Sequence, residues 1–169
     1  YDKLLANLGS MSNSGFEIGL GVTPIETKDM QLNVNLNMSW QRNKLISLSG
    51  YHQGQYIAAN NTSGIGSLYG AGFHGNSDVV YQIVGQPLGV FYLPHCKGLK
   101  EYSDGGYYYE LEDIDADGNP EKHICGQATP KMTLGSNISF RYKDFDISLQ
   151  MNGAFGHKIY NGTANTYMN

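Results

Sequence analysis

The chain has 169 residues, enough to bury a core as one domain, but only 15% of them are charged, against about 25% in typical soluble domains. The formal net charge of −4 argues against nucleic-acid binding, which requires a basic surface. No run of about 18 apolar residues is present, so the sequence predicts no transmembrane helix.

Residues 1–44 contain a predicted hairpin. A Ser/Asn/Gly-rich lead-in, residues 1–14, is expected to end in a turn, after which residues 16–22 alternate between apolar and polar or small side chains. In residues 30–41 (MQLNVNLNMSWQ) every even position is apolar and every odd position is polar but uncharged. Because side chains alternate between faces along a strand, we predict two antiparallel strands within about 16–44, each with one apolar and one polar face. A strand of about 9–11 residues crosses a bilayer at a tilt.

A second hairpin is predicted at about 131–153. Residues 132–142 and 145–151 repeat the alternation, and Lys143 and Asp144 form the short turn between them. The polar faces again carry mainly Asn, Gln, Ser, Thr and Gly rather than the Lys and Glu of most solvated sheets.

The connection between the hairpins, residues 45–130, spans 86 residues. A connection of this length is expected to be functional or partly structured. Its first half is almost uncharged, whereas residues 101–121 hold eight carboxylates and no Lys or Arg. Short turns on one side of a sheet and a very long loop on the other are typical of outer-membrane β-barrels, whose long loops are extracellular.

Two architectures fit these patterns. Alternation alone favours a soluble antiparallel sandwich, and such a protein would be a secreted β-rich glycan-binding or adhesin domain. The uncharged polar faces and the unequal connections favour an all-β, antiparallel, up-and-down transmembrane barrel fragment of two hairpins with one long extracellular loop. These observations leave the two alternatives about equally supported.

Several motifs resemble those of SusC/RagA-type TonB-linked outer-membrane proteins. Residues 84–92 (VGQPLGVFY) are similar to a segment found late in that family. Other similar segments follow the family's order along essentially the whole chain: residues 15–17 (GFE), 43–44 (NK), 113–118 (DIDADG), 126–131 (GQATPK), 142–146 (YKDFD) and 156–161 (GHKIYN).

The resemblance implies both architecture and function. It implies an internal fragment of a closed barrel of about 22 strands in the outer membrane of a Gram-negative bacterium. The expected activity is import of oligosaccharides or peptides, not enzymatic chemistry, and no cofactor is required. The expected partners are a SusD-like surface lipoprotein, the TonB complex acting through parts outside this chain, outer-membrane lipid and the imported substrate, but no nucleic acid.

An acidic turn in the long connection is a candidate calcium site. Asp113, Asp115 and Asp117 precede Gly118 with the spacing of a Ca²⁺ loop, and Glu121 could contribute through water. An EF-hand would place a bidentate Glu where Ile124 stands. The alternative is a solvated acidic turn.

Cys96 and Cys125 are the only cysteines. A disulfide between them is plausible in an oxidising compartment, and it would stabilise the fold by about 3–4 kcal/mol. The alternatives are two free thiols or a Cys₂His₂ metal site with His95 and His123, although the spacing fits no common zinc motif.

Four tyrosines in the acidic half of the connection are candidates for substrate binding. Their flat rings and polar tips suit sugar rings, but the same side chains could pack the loop or line a membrane rim. They are Tyr102, Tyr107, Tyr108 and Tyr109. The sequence contains no Gly-x-Ser-x-Gly, His-Glu-x-x-His or phosphate-binding loop, so no catalytic residue is predicted.

Overall fold

The computed structural model describes residues 8–67, 78–112, 114–116 and 118–167. These residues form mainly antiparallel β-strands, and no helix among them has the length and apolar character needed to span a membrane. The elements are β1 (Ser10–Glu26), β2 (Met30–Ser47), β3 (Gly50–His52), β4 (Gln55–Ile57), β5 (Thr62–Ser67), β6 (Asp78–Ile83), β7 (Val90–Pro94), β8 (Cys96–Glu101), β9 (Tyr107–Leu111), β10 (Lys122–Gln127), β11 (Met132–Tyr142), β12 (Phe145–Phe155) and α1 (Gly162–Tyr167).

The two predicted hairpins lie side by side in one four-stranded sheet, in the order β1-β2-β11-β12. Strands β2 and β11 pair directly, with Trp40 opposite Met132 and Met30 opposite Tyr142. Every neighbouring pair in this sheet is antiparallel. The predicted all-β, up-and-down antiparallel architecture is therefore confirmed, and the sheet is open at β1 and β12.

The hairpins are longer than predicted. The interpretation of residues 9–14 as a turn was wrong, because β1 begins at Ser10 and its first residues pair with the end of β2, where Ser14 lies opposite Arg42. These residues lack apolar alternation, but pairing satisfies their backbone hydrogen-bonding groups as well as it does for an alternating strand. The second hairpin likewise continues to Phe155.

The described residues of the long connection (45–67, 78–112, 114–116 and 118–130) form short paired strands rather than one open loop. A second sheet has the order β10-β7-β6-β5, and two separate hairpins are formed by β3 with β4 and by β8 with β9. We call this second sheet and its two hairpins the loop module. The buried apolar side chains of the described residues are Leu45, Val79, Val90 and Phe91, with Val90 only 1% exposed. The hydrophobic core therefore lies in the loop module and where it meets β2, not against the four-stranded sheet.

Hydrogen bonds fix the loop module to the end of β2. The Gly85 N–H donates to the Leu45 carbonyl (2.8 Å), and the Leu45 N–H donates to the Gln86 carbonyl (2.9 Å). The Asn43 side-chain oxygen accepts a hydrogen bond from the Leu88 N–H at 2.7 Å. Residues 84–89 are thereby clamped against the strand that continues into the main sheet.

Candidate functional surfaces

One face of the four-stranded sheet is apolar and uncovered. Along β2 it runs from Met30 to Trp40, which is about 34 Å of extended chain. At a tilt of about 45° this corresponds to about 24 Å, close to the apolar band of about 25 Å on outer-membrane barrels. Its exposed large side chains include Phe16, Ile18, Leu20, Val22, Leu36, Trp40, Leu134, Tyr142, Phe145, Ile147, Leu149, Met151 and Phe155.

Aromatic side chains lie at both ends of this apolar face. At the end nearer the loop module, the rings of Phe16 and Trp40 stack with centroids 5.8 Å apart. At the end with the short turns, Tyr142 lies opposite Phe145, which is 74% exposed. Aromatic girdles at the two interfaces are a feature of membrane barrels, because amphipathic rings favour the headgroup level.

The opposite face carries small residues, amides and hydroxyls. One cross-strand row consists of Gly19, Asn37, Gly135 and Asn152. The missing side chains of the two glycines leave a shallow trough of about 820 Å³ with Glu17 at its edge. A neighbouring row is joined by a 2.9 Å hydrogen bond between the hydroxyls of Ser39 and Thr133. This face is suited to neutral, hydrogen-bonding contacts.

The four candidate tyrosines lie on one exposed hairpin but on both of its faces. Strand pairing places Leu99 opposite Tyr109 and Lys100 opposite Tyr108. Tyr107 and Tyr109 therefore share a face with Leu99, and Tyr107 is 67% exposed. The Tyr102 ring packs on the Tyr108 ring with centroids 4.5 Å apart on the other face. The structure therefore divides the four tyrosines between the two faces of the hairpin, and it brings the rings of Tyr102 and Tyr108 into contact.

Known proteins are similar to this chain over nearly all of its length. The chain is 24% identical over 170 residues to the TonB-dependent receptor SusC of Bacteroides thetaiotaomicron, a match that covers 94% of this chain and 15% of SusC. It is 28% identical over 176 residues to the TonB-dependent receptor P3 of Formosa agariphila, covering 94% of this chain and 16% of that receptor. The resemblance to SusC-type TonB-dependent receptors is confirmed. No protein-family profile matches the chain.

Solved structures support the same fold. The RagAB peptide transporter superposes with a TM-score of 0.62 at 18% identity, over 89% of this chain and 16% of that chain. A second RagAB structure, the peptide importer in its "closed-closed" state, gives a TM-score of 0.60 at 18% identity. The chain thus spans about a sixth of the length of its SusC-type relatives, which are named as receptors and transporters rather than as enzymes.

The structure gives physical reasons for two of the SusC-like motifs. A Cβ added to Gly15, in the GFE motif, would lie 2.4 Å from the Trp40 carbonyl oxygen, so only glycine fits against the neighbouring strand there. Asn43, in the NK motif, holds the turn of the VGQPLGVFY motif through Leu88. Both motifs are visible in the sequence, but their contact through Asn43 and residues 84–89 is not.

An exposed ion pair crosses the hairpin of β8 and β9, which we call the aromatic hairpin. Lys100 Nζ lies 2.6 Å from Glu110 Oε1. The hydrogen bond to Glu110 and the negative charge of that carboxylate raise the pKa of Lys100 above its usual value. Because water screens the pair, it orients the side chains around Tyr108 more than it stabilises the fold.

A second exposed aromatic pair was not predicted from the sequence. Tyr51 and Tyr56 face each other across the β3–β4 hairpin with ring centroids 5.2 Å apart, and Tyr51 is 75% exposed. Gln53 and Gly54 both have positive φ angles, as a two-residue hairpin turn of type I′ requires. The Gln-Gly pair was the sequence signal from which this hairpin, and hence the pairing of the two tyrosines, could have been predicted.

The two cysteines are free thiols in the structure. The Cys96 thiol donates to the Gly98 carbonyl at 3.5 Å, and the Cys125 thiol lies 3.4 Å from the His123 carbonyl oxygen. The disulfide considered above is therefore not formed, and it stays a prediction for an oxidised protein. The rings of His95 and His123 stack at 4.6 Å, but no group of three or more His, Cys, Asp or Glu in the described part of the chain could hold a metal ion.

The calcium site also stays a prediction. Asp113 and Asp117 lie outside the described residues. Asp115 Oδ1 accepts a hydrogen bond from the Asn119 N–H at 2.8 Å, and Glu121 is exposed. The local hydrogen bond closes a tight acidic turn and is compatible with either alternative given above.

Proposed function

We propose that this chain forms part of the barrel wall and an extracellular loop module of a TonB-dependent importer in the outer membrane of a Gram-negative bacterium. The observation that carries the proposal is the uncovered apolar face of bilayer height, backed by an uncharged polar face. In a soluble glycan-binding or adhesin domain the same face would be a contiguous apolar patch in water, which favours aggregation.

The orientation of the segment follows from its connections. The short turns, at residues 27–29 and 143–144, would face the periplasm, and the loop module would face the exterior, as in other outer-membrane barrels. The apolar face would contact lipid, and the polar face would point towards the barrel interior. The clamp between Asn43, Leu45 and residues 85–88 would hold the loop module on the interior side of the rim.

The proposed mechanism is transport rather than chemistry. A SusD-like surface lipoprotein would capture the substrate, and the TonB complex would act through parts of the receptor outside this chain. The contribution of this segment is a wall of amides and hydroxyls, which exchange hydrogen bonds with a neutral polar substrate as readily as with water. Oligosaccharides and peptides both fit that chemistry, and the similar RagAB is named as a peptide transporter.

The face of the aromatic hairpin that carries Tyr107 and Tyr109 is the proposed substrate-contacting surface of the loop module. Replacing both Tyr107 and Tyr109 by Ala in the whole receptor is expected to weaken substrate uptake about tenfold, because each lost aromatic contact costs about 0.5–1.5 kcal/mol. The measurement is uptake of labelled oligosaccharides and oligopeptides by cells whose chromosomal receptor gene is deleted and which carry either the wild-type or the variant receptor on a plasmid.

The matched control is the double variant Tyr51→Ala, Tyr56→Ala, which removes two exposed tyrosines from the β3–β4 hairpin and should leave uptake unchanged. Cells without the receptor should import none of the labelled oligosaccharides or oligopeptides that cells with the wild-type receptor import. Uptake that does not depend on the receptor would contradict the proposed function. Receptor-dependent uptake that the Tyr107 and Tyr109 double variant leaves unchanged would contradict only the role of these tyrosines.

A further inference from the structure

Two basic side chains extend the lipid-facing side of β2 beyond its last aromatic residue. Alternation along the strand places Arg42 and Lys44 on the same face as Trp40, and pairing sets them opposite Ser14 and Ser12 of β1. Both basic residues are exposed. Asn43, which lies between them on the other face, contacts the loop module, so the two basic residues point away from that module.

The spacing places these side chains at the level of lipid headgroups. Arg42 and Lys44 follow Trp40 by two and four residues, about 7 and 14 Å along the strand. At a strand tilt of about 45° their Cα atoms lie about 5 and 10 Å above the Cα atom of Trp40. The headgroup layer on each side of the hydrocarbon core is about 5–8 Å thick, and a lysine side chain can bend back towards it.

The charge at this end of the apolar face is unbalanced. Among the described residues the ion pairs are His95 with Glu112 and Lys100 with Glu110, and neither includes Arg42 or Lys44. Glu17, the acidic residue of β1 nearest to them in sequence, lies on the opposite face of the sheet. At the other end of the apolar face, each turn contains one lysine beside one aspartate, Lys28 with Asp29 and Lys143 with Asp144.

We propose that Arg42 and Lys44 bind the phosphate groups of phosphorylated glycolipid in the outer leaflet of the membrane. A guanidinium offers parallel N–H donors to a phosphate, and the Ser12 and Ser14 hydroxyls beside the two cations can donate to its remaining oxygens. Phosphate is the partner whose charge complements two cations at headgroup height that form no ion pair with another described residue. This inference rests on the proposed function, because it requires the apolar face to lie in a bilayer.

The test uses the whole receptor in phosphatidylcholine nanodiscs, with diphosphoryl lipid A added in increasing amounts and the bound lipid counted by native mass spectrometry. The wild type is expected to retain diphosphoryl lipid A in preference to its dephosphorylated form. The Arg42→Gln, Lys44→Gln double variant is expected to need about ten- to thirtyfold more lipid A for the same retention, since each basic residue near an anionic surface contributes about three- to fivefold.

The matched control is the double variant Lys28→Gln, Lys97→Gln, which removes the same charge from the turn end of the sheet and from β8. It should retain lipid A as the wild type does. Equal retention by the Arg42/Lys44 variant and the wild type would overturn the proposal, and so would a wild type that retains dephosphorylated lipid A as strongly as diphosphoryl lipid A. A receptor that does not enter nanodiscs at all would instead overturn the proposed function.

Discussion

Replacing Leu36 by arginine is expected to lower the free energy of unfolding of the whole receptor by about 2–4 kcal/mol, the cost of a basic side chain at the bilayer midplane of a barrel. Leu36 lies midway along the apolar face of β2, where it pairs with Leu20 and Ser136 and stays 37% exposed. The measurement is equilibrium unfolding by denaturant in phosphatidylcholine vesicles. The loss is expected because an arginine at this depth reaches neither interface.

The control places the same side chain on the other face of the same strand. Asn37→Arg would extend into the polar trough, where neighbouring Gly19 and Gly135 leave room for it. We expect its cost to be less than about 1 kcal/mol, within the range of substitutions away from packed sites. Equal costs for the two variants would contradict a lipid-facing side for Leu36.

Replacing Gly15 by valine is expected to destabilise the receptor by about 1–3 kcal/mol or more, as overpacking of a close contact does. The new Cβ would lie 2.4 Å from the Trp40 carbonyl oxygen and 3.3 Å from the Gln41 Cα, and neither backbone atom can move without separating β1 from β2. Intrinsic strand propensity predicts that the same substitution would stabilise the receptor, because valine favours strands and glycine does not. The sign of the change in unfolding free energy therefore separates the two explanations.

Gly19→Val is the matched control on the same strand. Its Cβ would meet the Asn37 side-chain oxygen at 3.3 Å, and the end of a flexible side chain can move aside. We expect this change to be neutral within about 1 kcal/mol or slightly stabilising. A Gly15 variant as stable as the Gly19 variant would show that the strands do not approach as closely at Trp40 as the structure indicates.

The main sheet was predictable because its residues alternate strictly. In residues 30–41 apolar and polar side chains alternate, and alternate side chains of a strand point to opposite faces. The strand, its two surfaces and its antiparallel neighbour therefore follow from the sequence. The pairing of β2 with β11 did not follow, because the two strands are separated by residues 45–130 and no local signal sets their register. The start of β1 was misjudged because its serines and asparagines resemble a turn.

The loop module was less predictable for a different reason. Its strands are short and interrupted by glycines, and core residues such as Val90 and Phe91 are adjacent rather than alternating, because parts of the sheet are buried on both faces. The candidate site was found as a group of tyrosines, but its division into two faces depends on the register of β8 with β9. That register includes a bulge between Cys96 and Gly98, which composition does not reveal.

The most direct test of the lipid-facing wall is a spin-label scan of residues 30–41 in the whole receptor, reconstituted in phosphatidylcholine vesicles with Cys96 and Cys125 replaced by serine. Each position is labelled in turn, and its collisions with apolar oxygen and with a water-soluble nickel chelate are compared. We expect a period of two, with labels at even positions from Leu32 to Met38 reached mainly by oxygen and those at odd positions reached mainly by nickel. Nickel access that is equal at even and odd positions would contradict the account, because the apolar face would then lie in water.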